Sequence, residues 1–286
     1  MKSMTELNAI FPFRTALNTS TLFPYNLDIL QQIELVAEAG YDGIELWIKD
    51  VKAYVDSGEK LSSLRRELDR LKLAPVNAIA FFKWCDQDLQ TRKEGLRQAE
   101  EEMEMLAAIG CPAIAAPPFG DVSHLDAVAI AEYFSDLKAI GRKAGVEPYL
   151  EFWGRAEYLS TLEQAKQIVD LQPMNKMLID PFHMYTGGSN HELLGSLAAD
   201  QIGIVHVNDY PGEPSRLIIN DEERLFPGEG IAPTKDIAAT LHSIGYSGYL
   251  SLELFKKSYA GRSALETAKY GLNSIKTAYS VNAIHS

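Results

Sequence analysis

Cysteine is scarce in this chain: Cys85 and Cys111 are the only two among 286 residues. Two thiols build neither a disulfide framework nor a cysteine-based metal site, and both are expected to be small buried residues. Long apolar runs are also missing. None approaches the roughly 20 residues that span a bilayer. The opening segment MKSMTELNAIFPFR has no apolar core ahead of a small-residue cleavage site. The expectation is a soluble, cytoplasmic protein. Positive charge is short too, with 27 Lys and Arg against 39 Asp and Glu and a net charge of -12. Phosphate binding needs a basic face, so this balance counts against nucleic acid as a main partner. No phosphate-cradling glycine loop occurs; the GGS at Gly187–Ser189 is too short and too common. Nothing calls for nicotinamide or ATP.

What the chain does have is a regular alternation of strand-like and helical patterns, the signature of a parallel sheet wrapped by helices. Strand-like runs begin at Phe13–Thr21, Asp42–Ile48, Ala74–Phe82 and Cys111–Pro118. They continue as VEPYLEFW, KMLIDPFH, IGIVHVND and GYLSLELF. Amphipathic helical patterns follow them, including LDILQQIELVAEAG, SSLRRELDRLKL, the run from Gln90 to Ile109, and a shorter HELLGSLAA. Four helix ends repeat a Gly junction, AEAGYDG, LAAIGCP, GRKAGVE and HSIGYSG, with Gly at the helix C-cap. Eight βα units are the number that closes a barrel of about 250 residues. With no linker or break in composition, residues 1–286 are expected to form one α/β domain, a (β/α)8 barrel.

The second half places four ligand-type side chains at the same phase of successive strands: Glu151, Asp180, His206 and Glu253. Taken singly, a Glu at a strand end is a solvated loop residue, an Asp before Pro is a turn former, and a His in an apolar run is a core residue. Together they fall on the carboxyl face, where barrel enzymes keep their chemistry. Charged groups inside apolar strands also need partners or a metal. Three carboxylates and one imidazole suit Mn²⁺, Mg²⁺, Co²⁺ or Zn²⁺, with no choice among them. His183 follows Asp180 by three residues, Arg155 and Glu157 follow Glu151, and Arg224 precedes LFPGEG. Arg224 is suited to holding substrate oxygens, or else to pairing with Glu222 or Glu223 at the surface. Trp47, Trp84 and Trp153 stand at or just past strand ends, as walls for a sugar ring or as core packing.

These residues resemble the xylose isomerase-like TIM-barrel superfamily over nearly the whole chain. VNAIAFF, LEFWG, LIDPFHMYTGGSN, HVNDYP, DEERLFPGEG and SLELFKKSY are closest to its inosose (2-keto-myo-inositol) isomerases. Glu151, Arg155, Glu157, His183 and Arg224 are also similar to positions of the ketose 3-epimerases. Arg155 departs from the inosose isomerases, and so does much of the first half. The resemblance implies one divalent metal on Glu151, Asp180, His206 and Glu253. It implies Glu151 and Glu253 as acid/base groups for proton transfer through a cis-enediolate. His183, Arg224, Glu157, Arg155 and Trp153 are implied around the substrate, and a homodimer is implied as the assembly. The expected activity is isomerisation of a keto-polyol, with 3-epimerisation of a free ketose as the alternative. A non-catalytic sugar-binding barrel is the second alternative. An endonuclease IV-like activity would need a basic face and further His and Asp ligands. The charge balance and just six histidines, one of them the near-terminal His285, speak against it.

Overall fold

A computed structural model of the chain describes residues 9–172 and 174–282. The start of the N-terminal segment read above, residue 173 and the last four residues, His285 among them, lie outside it. Eight parallel strands form the centre. They are β1 (Arg14–Asn18), β2 (Gly43–Trp47), β3 (Ala74–Ile79), β4 (Ala113–Ala116), β5 (Glu147–Glu151), β6 (Lys176–Ile179), β7 (Ile202–Val207) and β8 (Tyr249–Leu252). Their hydrogen-bonded order is β3-β2-β1-β8-β7-β6-β5-β4. The end strands β3 and β4 stand side by side, but among the described residues no ladder joins them. Pro112, Pro117 and Pro118 bracket β4 with residues that have no N–H to donate. The result is a nearly closed (β/α)8 barrel. Apart from the barrel, two residue pairs, Ala9 with Asn282 and Ile10 with Val281, join the first and last described segments of the chain as a short antiparallel ladder.

The helices α1 (Ile29–Ala39), α2 (Ile48–Asp56), α3 (Leu61–Leu71), α4 (Leu89–Ile109), α5 (Ala127–Ala144), α6 (Leu162–Leu171), α7 (Pro181–Gly187), α8 (Thr234–Ser243) and α9 (Ala264–Ala278) surround it. Asp28, Asp88, Asp126, Thr161 and Ser263 each accept a backbone N–H as an N-cap, which fixes where α1, α4, α5, α6 and α9 begin. Gly40, Gly110 and Gly145 close α1, α4 and α5 in the left-handed conformation. Gly245 turns the chain after α8 in the same way. No described helix is long and apolar enough to cross a membrane.

Outward strand residues such as Leu17, Ile44, Leu150, Val205 and Leu252 pack against Ile33, Leu106, Phe134, Ile168 and Ile275 of the helices. Inward residues follow the strand period of two. The barrel floor is apolar, with Ala16, Tyr149, Leu178 and Ile204. Two residues further along the same strands the lining turns polar: Asn18, Glu151, Asp180 and His206, all buried. Ser251 on β8 and Glu253, one residue past it, continue this phase.

Several elements differ from the sequence expectation. β1 stops at Asn18, whose side chain caps a 3-10 helix, Thr19–Tyr25. A helix, α2, leaves β2 directly. Strand six ends at Ile179 instead of running to His183, because Asp180 accepts the Phe182 N–H and starts α7 with Pro181 in its first turn. HELLGSLAA forms 3-10 turns, His191–Ser196 and Ala199–Gln201, rather than a helix.

Candidate metal centre

Asp180, His206 and Glu253 converge at the mouth of the barrel. One donor atom from each lies within 4.8 Å of the others. His206 is fully buried on β7; its Nδ1 stands 3.1 Å from Glu253 Oε2 and 3.8 Å from Asp180 Oδ2. That nitrogen has no hydrogen-bond partner. An unpartnered buried nitrogen beside two carboxylate oxygens is the donor set a divalent cation takes.

His206 is aimed by a residue that the sequence reading passed over. Glu45, fully buried on β2, takes His206 Nε2 at 2.9 Å. A carboxylate there requires the proton on Nε2 and leaves Nδ1 as the ligand face. Glu45 also accepts from Asn77 Nδ2 at 2.7 Å, Asn18 Nδ2 at 2.9 Å and Ser251 Oγ at 2.8 Å. Burial works to raise its pKa, but the charge and N–H of His206, with the bonds from Asn77 and Ser251, bring it below the ordinary carboxyl value. For His206 burial opposes the charged form. Without a cation, Glu253 and Glu45 outweigh it and hold the imidazole well above its ordinary value; a cation at Nδ1 would take the place of the second proton, leaving the one on Nε2 toward Glu45. The signal for Glu45 was available in DGIELWI, a charge at the inward phase of an apolar strand.

Asp180 is fixed through both oxygens. Oδ1 accepts from Phe182 N and Asn208 Nδ2, and Oδ2 accepts from Arg224 Nη1 at 2.7 Å. Burial favours the neutral acid, yet Arg224 and the neighbouring histidines keep Asp180 well below the usual carboxylate range. Glu253 accepts from Asn18 Nδ2 on one oxygen and Arg224 Nη1 on the other.

Arg224 is 1% exposed and makes no surface pair with Glu222 or Glu223. It is bound instead to Asp180, Glu253 and Asp221, with Phe182 under its guanidinium at 4.4 Å. The loop that carries it is held by Asp209, which accepts the backbone N–H groups of Tyr210, Gly228 and Ala232. Asp209 also pairs with Leu225 across a β-bridge. Gly230 packs so closely there that a Cβ would collide with the Tyr210 carbonyl. This is the local reason for PGEG.

Glu151 closes β5 beside the trio but outside it. Its Oε1 is 3.9 Å from His183 Nε2, beyond hydrogen-bond reach. Burial, then the Glu253 and Asp180 carboxylates, push it up to about 8 against the pull of His206 and Trp153. His183, on α7, is lowered to about 4, chiefly by burial, so its imidazole is neutral at pH 7. Arg155 and Glu157 sit exposed at the rim, where Arg155 donates to the Ile219 carbonyl. Trp47 and Trp153 line the cavity, whereas Trp84 is core, its indole donating to the Pro117 carbonyl. Cys85 and Cys111 are buried and free. The cavity above these groups holds about 930 Å³ and is lined by Glu151, Glu157, His183, Arg224 and Glu253, among others.

Comparison with known proteins agrees with this fold. The inosose isomerase of Bacillus velezensis is 28% identical over 253 residues, covering 85% of this chain and 89% of the relative. The 3-dehydroshikimate dehydratase of Pseudomonas putida is 24% identical over 259 residues, covering 86% of this chain and 39% of that longer protein. The crystal structure of the IolI protein with a bound zinc atom superposes with a TM-score of 0.82 at 25% identity, covering 93% of this chain and 96% of that one. Residues 33–278 match the sequence profile of one family, and with the eight-stranded barrel they establish that this chain belongs to the xylose isomerase-like TIM barrel family.

Proposed function

We propose that the protein is a divalent-metal-dependent isomerase of a keto-polyol of the 2-keto-myo-inositol type. The observation that carries the reading is the unpartnered His206 Nδ1 facing the Asp180 and Glu253 carboxylates, with Glu151 poised beside them. Asp180, His206 and Glu253 would hold the cation, and Glu151 completes the set. When bound, the cation supplies Lewis-acid stabilisation of negative charge developing on substrate oxygens. Mn²⁺, Mg²⁺, Co²⁺ and Zn²⁺ all suit these donors.

The chain's own residues then move the proton. Glu151 faces the cavity and is not tied down by Arg224 as Asp180 and Glu253 are, so it is the acid/base group for the carbon beside the carbonyl. Neutral His183 donates to, or accepts from, a substrate hydroxyl, and Arg224 stabilises an enediolate oxygen. Glu157 and Arg155 at the rim bind outer hydroxyls, and Trp153 packs on the ring. The relatives fit this chemistry: an inosose and a 3-dehydro acid each carry a ketone with a neighbouring C–H.

A 3-epimerase of a free ketose is the second reading. It is favoured by a second carboxylate, Glu253, on the same cavity, which allows protonation from the other side. A cytoplasmic setting and a homodimer belong to the proposal and are checked by fractionation and sedimentation. The deciding experiment is NMR in D₂O with each of the four metals. Deuterium exchange beside the carbonyl of 2-keto-myo-inositol supports the isomerase, and C3 exchange in a ketose moves the assignment to epimerase. No exchange with any metal refutes both.

A further inference from the structure

One half of the cavity is hydrocarbon, and it is built to a larger scale than a polyol needs. Trp47, Phe81, Trp153 and Phe255 line it as half-buried rings, and the half-buried Phe23 and Phe119 pack against them outside the lining. Centroid spacings among these rings are 5.0 Å for Phe23–Trp47, 5.5 Å for Trp47–Phe81, 5.7 Å for Phe81–Phe119 and 6.4 Å for Phe119–Trp153. These pairs meet edge to face or tilted; Lys49 stands over the Phe23 and Trp47 rings at 3.9 and 4.8 Å and Arg224 over Phe255 at 5.2 Å, which leaves Phe81 and Trp153 as the rings best placed for a further face contact.

The Trp47 donor is already used: its Nε1 donates to Asn18 Oδ1 at 2.8 Å inside the barrel. The phenylalanine rings beside it offer no donor to a hydroxylated ligand. A sugar ring can lay its C–H face on one aromatic side chain. Four such rings, Trp47, Phe81, Trp153 and Phe255, lining a cavity of about 930 Å³ exceed that requirement, in a class of sites whose volumes run from about 300 to 1,000 Å³ for drug-sized ligands.

We propose that the substrate is a keto-sugar or keto-polyol joined to an aromatic group, its polar end over Asp180, His206 and Glu253 and its aromatic end against the Trp47–Phe81–Trp153 wall. The keto part of this statement rests on the isomerase reading above; the apolar subsite rests on that wall alone. Calorimetric titration of the Mg²⁺-supplemented protein with methyl and phenyl β-D-glucopyranoside, which share one sugar and cannot turn over, tests it. The phenyl glycoside is expected to bind about 30-fold more tightly or better, the order set by burying a phenyl ring. Phe81→Ala should abolish most of that ratio, and Phe81→Leu, a milder change that preserves packing, should reduce it. Equal affinities, no binding of the phenyl glycoside at millimolar concentration, or a ratio untouched by both Phe81 variants would overturn the proposal. Parallel D₂O exchange on 2-keto-myo-inositol separates the two ideas. Exchange without a phenyl preference overturns the subsite and keeps the enediolate chemistry. A phenyl preference without exchange supports the subsite and removes that chemistry.

Discussion

Glu45→Gln isolates the buried carboxylate that orients His206. Glu45 accepts from Asn77 and His206 on Oε1 and from Asn18 and Ser251 on Oε2. A glutamine accepts at one end only. With its oxygen toward Asn77 and His206, its NH₂ meets Ser251, whose hydroxyl can turn to accept, and Asn18 Nδ2, which cannot. One buried donor is then opposed by another, at about 1–3 kcal/mol of stability. With the amide reversed, NH₂ faces His206 Nε2, and the imidazole proton must move to Nδ1, the atom turned toward Asp180 and Glu253. In either orientation the anion that makes Nδ1 basic is gone. Loss of such an outer partner weakens metal binding about 10–100-fold, or about 1.4–2.7 kcal/mol. Competition against a coloured chelator at fixed pH measures the affinity, and urea unfolding measures the stability. A folded Glu45→Gln protein whose metal affinity stays within about threefold of the parent, well short of that range, refutes the claim that Glu45 sets the tautomer.

Glu253→Gln is expected to abolish turnover and weaken metal binding with an unchanged circular dichroism spectrum; near-normal rates would remove the assigned site. Glu151→Gln tests the raised carboxyl in metal-free protein. Between 4.5 and about 8 the folded chain keeps a proton that the unfolded chain releases, so the parent loses stability as pH rises through that window and stays low above it. The variant escapes this, so the two should match in acid and differ by a few kcal/mol at alkaline pH, on a scale of about 1.4 kcal/mol per unit; parallel stability–pH curves would contradict it. Gly230→Ala should cost about 1–3 kcal/mol by overpacking and lower turnover by shifting Arg224, read by thermal melts and steady-state kinetics; a neutral result in both means the PGEG turn does not position the arginine. A metal at about 100 times its Kd should add about 2.7 kcal/mol of stability, which chelator removes; silence with all four metals defeats the metal reading.

The order of strands and helices was legible because strand runs alternate with amphipathic helical runs, and several of those helices carry an N-cap, as α1, α4, α5, α6 and α9 do, or a closing Gly, as α1, α4 and α5 do. The phase of Asp180 and Glu253 was legible from the strand period of two, although both lie one residue past their strands. Asp180 was harder to delimit, since Pro181 reads equally as a turn or as the first residue of a helix, and the helix is what forms. The burial of Arg224 was beyond local pattern. It depends on Asp209 folding a long loop back over the barrel, an interaction among residues up to 23 positions apart. Glu45 and its donors Asn18, Asn77 and Ser251 come from four strands and meet only when the sheet curls.

The seam between β3 and β4 has a consequence for how such a barrel changes over generations. Phe81 follows β3 and Phe119 follows β4, so the unpaired edges lie beneath the aromatic wall. The strands β5 to β8, which bring in Glu151, Asp180, His206 and Glu253, are each laddered to the next. Substitutions that spread or tilt β3 against β4 break no backbone hydrogen bonds and leave the charged quarter in register. Recognition can therefore drift toward new molecules while the reacting groups keep their places, and a laboratory library confined to the seam loops would sample new substrates at the least risk to the chemistry.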